Sequence, residues 1–241
     1  MPIVDLKLPV FLPNALVPFL KRLQKRIHRI VHPQGINLLG DRDIEESWIA
    51  SHMSSGPGWA LDFGSGGSSL SLLAAFKGYE VMAIDLEEHE VPYCHPQILA
   101  RAVDIFHTDL QPHQFDLIIN CSAIEHVGLS GRYGVIDDRP DGDIEAMRLM
   151  KSAMKPGAIM LMTVPVGQDA VCRPFHRVYG TQRLPRLLEG FNVQAKQFWV
   201  KNSDNRWILS PENTALCFRC SSHSSIPSKN TYALGCFVLS T

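Results

Sequence analysis

Short apolar runs that close on a carboxylate, separated by turns and helical patterns, constrain this chain more than any other feature. "WALDF" (59–63) has the length of a buried strand and carries Asp62 at its end. "YEVMAIDL" (79–86) is a second such run, ending at Asp85, and "QILARAVD" (97–104) a third, ending at Asp104. "FDLIINCS" (115–122) and "IMLMTVPV" (159–166) continue the series. Between the first two, "SSLSLLAAFKG" (68–78) reads as a helix with Gly78 as its C-cap. Ahead of the last, "DGDIEAMRLMKSAMKPGA" (141–158) sets Ile144, Met147, Met150 and Met154 on one helical face and stops at Lys-Pro-Gly. Apolar strands alternating with helices predict an α/β fold, a doubly wound parallel sheet in a three-layer α/β/α arrangement.

The flanking segments extend this plan. "GDRDIEESWIASHM" (40–53) predicts a helix started by Asp41 or Asp43, with Ile44, Trp48 and Ile49 on one face. "FNVQAKQFWV" (191–200) and "YALGCFVLS" (232–240) read as strands with no helix of similar length between them, hence an antiparallel pair at the sheet edge. Residues 201–230 show no usable pattern. A length of 241 residues fits one domain, 41–241, preceded by an extension, 1–40. Within that extension, Leu16, Phe19, Leu20, Leu23, Ile27, Ile30 and Val31 lie opposite Lys21, Arg22, Lys25, Arg26 and Arg29. This basic amphipathic helix, 14–32, can lie on an anionic membrane surface or pack on the domain or on a second subunit.

With 23 basic and 24 acidic residues the chain has no global footprint for nucleic acid, and no such partner is expected. No apolar run approaches the roughly 20 residues of a membrane span. Six scattered cysteines, mostly in apolar stretches, suit buried thiols in a reducing compartment, so the expected location is cytoplasmic, with or without peripheral membrane contact. Cys217, Cys220 and His223 form C-x-x-C-x-x-H, but no second ligand pair follows at zinc spacing, and no metal is expected.

Ligands of open α/β sheets bind outside the carboxyl ends of the strands, where Asp62, Asp85 and Asp104 converge. Gly64 and Gly66 permit a sharp turn and close approach to a ligand. Asp85 can accept hydrogen bonds from a ribose diol and Asp104 one from an exocyclic amine. Phosphate-cradling turns present bare N–H groups and a helix N-terminus to an anion, so Asp62 at this turn argues for a positively charged ligand. S-adenosylmethionine, with a sulfonium, an ammonium, a ribose and an adenine, has that pattern. A nicotinamide dinucleotide is the alternative that Gly64, Gly66 and Asp85 leave open, although Asp62 and Ser69 do not suit it.

In order and spacing these residues resemble the class I S-adenosylmethionine-dependent methyltransferases over about residues 41–167. "ALDFGSGGSS" resembles their first motif, with Ser68 where a third glycine is common, and "VMAIDL" their acidic second strand. "FDLIINCSAIEHVG" resembles their fourth strand and its loop, and "LMKSAMKPGAIMLMTVPVG" their Leu-Lys-Pro-Gly-Gly region, with Met154 and Ala158 as departures. The resemblance implies a Rossmann-like fold and S-adenosyl-L-methionine as cofactor, held by Asp62, Gly64, Ser65, Gly66, Asp85, Leu86, Asp104, Ile105 and Asn120. "SAIEHVGLSGRYG", "DRPDGD" and "VPVGQDAVCRPFHRVYG" are similar to a narrower family of methyltransferase-like proteins of nematodes and bacteria, by analogy with whose bacterial members a small-molecule, sugar or glycan acceptor is expected.

Methylation of a hydroxyl requires a base. His126, in the loop after the fourth strand, is the first candidate, with Glu125 beside it as an acceptor contact or, together with His126, a tether of that loop. His176 is the second, flanked by Arg177 and Tyr179 as acceptor contacts; Arg177 with Arg132 can clamp a phosphate or carboxylate, and Tyr133 can stack on an acceptor. In some members of the family a Glu three places before the Glu-His pair completes a metal site, but here that position is Ser122. A degenerate, non-catalytic binding module is the remaining alternative.

Overall fold

Five strands in a computed structural model of the chain run parallel: β1 (Gly58–Phe63), β2 (Tyr79–Asp85), β3 (Ile98–Ala102), β4 (Phe115–Cys121) and β5 (Met154–Val166). Described residues are 42–89, 93–202, 206–219 and 233–241, so the extension 1–40, its helix 14–32, Cys220 and His223 lie outside them. Further strands are β6 (Ala170–Cys172), β7 (His176–Val178), β8 (Asn192–Lys201), β9 (Trp207–Ser210) and β10 (Ala233–Ser240). The main sheet has the order β3-β2-β1-β4-β5-β10-β8-β9, while β6 and β7 form a separate antiparallel hairpin. The helices are α1 (Arg42–His52), α2 (Leu70–Phe76), α3 (Gly142–Ala153), α4 (Arg183–Leu187) and α5 (Glu212–Leu216). No helix among the described residues is long and apolar enough to cross a membrane.

Alternate residues along each strand serve opposite faces. Trp48 and Ile49 of α1 and Leu70 and Ala74 of α2 pack on Ala60, Val81, Leu117 and Ile119. Ile118, Met160 and Met162 meet the other layer, Met147 and Met150 of α3 and Leu184 and Leu187 of α4. Both faces of the central strands are therefore covered, which explains their unbroken apolar runs. Residues 86–97 and 103–114 cross between strands with no α-helix among the described residues, so β3 is an exposed edge.

Three strand-level expectations need correction. The expected antiparallel pair, β8 with β10, is present but is not itself the edge: β10 lies between β5 and β8, antiparallel to both, and the outermost strand is β9, in the stretch whose pattern gave no assignment. Residues 233–239 of β10 are buried, as an interior strand requires. β3 ends at Ala102, and Asp104 instead caps a 3-10 turn, Ile105–His107, accepting from the Phe106 N–H at 2.9 Å. Finally, α3 stops at Ala153 and Met154 opens β5 opposite Phe115, an irregularity in the β4–β5 register absorbing Lys-Pro-Gly. Of the cysteines, Cys121 and Cys236 are buried, Cys172 is half-buried, and Cys94 and Cys217 are exposed, so only part of the buried-thiol expectation holds.

Candidate functional site

The turn after β1 is built by two left-handed glycines, Gly64 (φ +67°) and Gly66 (φ +52°). Gly64 and Ser65 donate to the Ile84 carbonyl at 2.9 and 3.2 Å, which lays the turn against the end of β2. Asp85, at that end, accepts from the Gly66 N–H at 2.9 Å and from the Glu87 N–H at 3.2 Å. A cleft of about 450 Å³ opens here, lined by Ser65, Gly66, Ser71, Asp85, Tyr93 and Ala102 among others. Leu86 is exposed beside it. A larger hollow, about 760 Å³, lies between His113, Lys151 and Gly190 at the amino ends of β4 and β5, the wrong end of a parallel sheet for ligand binding.

Asp62 is buried beneath the turn rather than facing the opening, so it would act through a network beneath a ligand and not by direct contact. Its Oδ2 accepts from the Ser71 hydroxyl at 2.5 Å, fastening the first turn of α2 to β1. Burial, opposed by that hydroxyl and reinforced by the charges of Asp85 and Glu46, pushes the carboxyl up to about 6. Ile105 is a core residue beyond β3, with Asp104 spent on its turn cap. Asn120 is likewise fully buried: its Oδ1 accepts from the Ile124 N–H at 3.3 Å, so its side chain tethers the loop after β4 instead of reaching a cofactor.

That loop carries Glu125 and His126 in a 3-10 turn, Ile124–His126. Nδ1 of His126 lies 2.5 Å from the Phe175 carbonyl of the β6–β7 hairpin. A carbonyl only accepts, so Nδ1 carries the proton and Nε2 of the neutral ring holds the lone pair. Burial, against the pull of the Phe175 bond and with Arg132, the neighbouring His176 and Arg42 adding to it, lowers the imidazole to about 4. Glu125 is buried, its Oε1 3.8 Å from His126 Nε2.

The structure brings the two histidine candidates together, with ring centroids 6.5 Å apart. Tyr133 meets His126 edge-on at 5.7 Å, and the Arg132 guanidinium lies 4.4 Å over the Tyr133 ring. Burial raises the Tyr133 phenol against the opposing charge of Arg132, and Asp85, Glu87 and Glu125 add to the rise. The glycine turn and the His126 loop adjoin at Gly64, which lies against Ala123, and the charges of Asp85 and Glu87 on one side and Glu125 on the other all reach Tyr133.

Arg177 and Tyr179 do not belong to that junction. Arg177 is buried and donates to the carbonyls of Val127 (2.5 Å), Arg139 (3.3 Å) and Pro140 (3.2 Å), so it cannot form an anion clamp with Arg132. Tyr179 is fully buried and donates to Asp143 Oδ2 at 3.0 Å. Asp143, also without exposure, receives Arg183 through Nε at 2.9 Å and Nη2 at 2.5 Å. These side chains bind the loop 127–140 to β7 and α4.

Sequence reasoning missed Asp143 and also Glu45. Glu45 is a fully buried carboxylate of α1 that accepts from the hydroxyls of Ser122 and Thr163 (2.9 Å) at the ends of β4 and β5. A signal existed: Glu45 falls at helical spacing with Trp48 and Ile49, on the face that packs inward.

Residues 101–214 match the model of a family described as "Caenorhabditis protein of unknown function, DUF268", a span that includes the His126 loop and the β6–β7 hairpin but not the glycine turn. No curated protein matches the chain in sequence. Among solved structures it is similar to the 1,6-didemethyltoxoflavin-N1-methyltransferase of Burkholderia thailandensis, bound to 1,6-didemethyltoxoflavin and S-adenosylhomocysteine, at 14% identity over 98% of this chain and 97% of that one, TM-score 0.50. An S-adenosylmethionine-dependent methyltransferase of Archaeoglobus fulgidus is 15% identical over 90% and 99%, TM-score 0.54. Another, of Mesorhizobium loti, is 13% identical over 85% and 100%, TM-score 0.52. At these identities a likeness establishes architecture, and this chain has the fold of the S-adenosylmethionine-dependent methyltransferases.

Proposed function

We propose that the protein is an S-adenosylmethionine-dependent methyltransferase acting on an oxygen or nitrogen of a small-molecule, sugar or glycan acceptor. One observation carries the reading: the glycine turn held by Asp85 packs directly against the loop that bears the neutral His126, Gly64 against Ala123. The residues fit the cofactor, since Asp85 presents a carboxylate for a ribose diol beside a turn open enough for close approach, and the nearby charges of Asp62, Asp85 and Glu87 suit a cation. When bound, S-adenosylmethionine supplies a methyl group already activated by its sulfonium. The chain supplies alignment and a base: the Phe175 carbonyl orients His126, whose Nε2 takes the proton of the acceptor O–H or N–H. His176 and Tyr133 border the acceptor position.

Calorimetric titration with S-adenosylhomocysteine and with NAD, on the wild type and Asp85→Asn, tests this. S-adenosylhomocysteine is expected to bind and to weaken about 10-fold in the variant, the loss of a charge-assisted hydrogen bond. Binding of NAD alone would establish a dinucleotide enzyme in place of this reading.

A further inference from the structure

The buried contact between Glu45 and Ser122 joins residues 77 positions apart at the base of the His126 loop. Ser122 follows directly on β4 and holds φ +46°, a left-handed conformation that residues with a side chain rarely adopt. Its direction decides where the next residues go. Ala123 lies under Gly64, the Ile124 N–H reaches back to Asn120, and the His126 N–H bonds the Ala123 carbonyl at 3.1 Å. A change at Ser122 would therefore swing His126 away from Phe175.

Two sets of bonds surround Ser122. Its N–H donates to the Thr163 carbonyl at 3.0 Å, and its hydroxyl donates to Glu45 Oε1. Arg42, paired with Glu45 Oε2 at 3.5 Å, donates to the Cys121 carbonyl at 3.0 Å, so one turn of α1 grips both sides of the Cys121–Ser122 peptide. A carboxylate with no exposure is costly in place of an apolar side chain, and the best-supported use of such buried ionic groups is to specify one conformation.

We infer that Glu45 is a positioning residue: through the Ser122 hydroxyl it holds the left-handed turn that presents His126 at the candidate site. The catalytic consequence rests on the methyltransferase reading, but the conformational claim does not. Glycine adopts φ +46° without help, so Ser122→Gly should make Glu45 dispensable for the loop. Thr163→Val removes the other hydroxyl bond to Glu45 while leaving Ser122 in place.

The experiment is NMR titration of the His126 ring in the full chain, with folding of each variant checked by the dispersion of its spectrum. In the wild type, Thr163→Val and Ser122→Gly, the ring should stay neutral to below pH 5. In Ser122→Ala and Glu45→Leu, which each remove the hydroxyl–carboxylate bond, it should titrate nearer its ordinary 6.5, and Glu45→Leu/Ser122→Gly should restore the low value. Wild-type titration in both Ser122→Ala and Glu45→Leu, or equal shifts in Thr163→Val and Ser122→Ala, or no rescue by Ser122→Gly, would overturn the assignment. S-adenosylhomocysteine calorimetry on the same samples keeps the two readings apart: failure of the wild type to bind would remove the methyltransferase reading and leave the loop result intact, whereas an unmoved ring in a protein that binds would remove only Glu45.

Discussion

Gly64→Ala probes the contact between the glycine turn and the His126 loop. Gly64 holds φ +67°, and a Cβ built on it would stand 2.2 Å from the Ala123 Cβ, with the Ala123 Cα next at 3.5 Å. Two costs are superimposed. A left-handed alanine costs about 1–2 kcal/mol, and forcing carbons from about 3.5–4 Å into such contact adds about 1–3 kcal/mol of overpacking. Ala123→Gly removes the second cost entirely, since 3.5 Å to the remaining Cα is an ordinary contact, and leaves the first untouched. By itself Ala123→Gly should cost about 0.4–1 kcal/mol through the unfolded chain. The double variant is therefore expected to be more stable than Gly64→Ala, with a coupling of about 1–3 kcal/mol. Urea unfolding followed by tryptophan fluorescence measures all four corners of the cycle. S-adenosylhomocysteine affinity should follow the same order, because a displacement of about 1 Å in a positioning loop can cost on the order of 100-fold. Simple additivity would show that the two loops do not touch as described, and with it would go the claim that the glycine turn packs directly against the loop bearing the candidate base.

Asp143→Asn leaves Arg177 and Arg183 without their buried carboxylate and should cost about 3–5 kcal/mol in urea unfolding, while S-adenosylhomocysteine affinity, read away from the transition, stays near the wild type. Asp62 gives a pH signature: with its carboxyl near 6 in the fold against 3.8 for the free group, the native state holds an extra proton between those values. Wild-type stability should thus fall by about 3 kcal/mol as pH rises from 4 to 6 and level off above, relative to Asp62→Asn; parallel melting-temperature curves for the two proteins over that range would refute it.

Local chemistry made the cofactor end legible. Gly64 and Gly66 mark left-handed backbone, and a carboxylate closing an apolar run marks a strand end, so the turn and Asp85 were found where they stand. His126 and His176 were placed at one end of the sheet by strand order alone, and the fold brings their rings within 6.5 Å. Burial of polar groups was not legible. Arg177 and Arg132 look alike in sequence, yet one is sealed beneath the loop 127–140 and the other lies on an aromatic ring. The difference depends on where the β6–β7 hairpin docks, a contact between distant segments. Asp104 misled for the opposite reason: a carboxylate after a strand also serves as a turn cap, and its nearest donor, the Phe106 N–H, won. β9 was unreadable because four residues at an edge carry too little alternation to separate strand from loop.

Three carboxylates with almost no exposure divide the support of the candidate site among them. Asp62 fastens α2 to β1 under the glycine turn, Glu45 fastens α1 to β4 and β5 under the His126 loop, and Asp143 fastens α3 to β7 and α4 behind the loop 127–140. Apolar side chains would fill these positions at lower cost, since removing a charge from water is repaid only by well-formed partners. A hydrophobic contact, however, is non-directional and tolerates sliding, whereas a hydroxyl or guanidinium on a buried carboxylate fixes both distance and angle. Each carboxylate, directly or through Arg177 and Arg183, fixes a group at the root of a loop, and the loops so fixed carry Gly66, His126 and Tyr133. Stability given up at three buried charges is thus converted into the placement of these three loops.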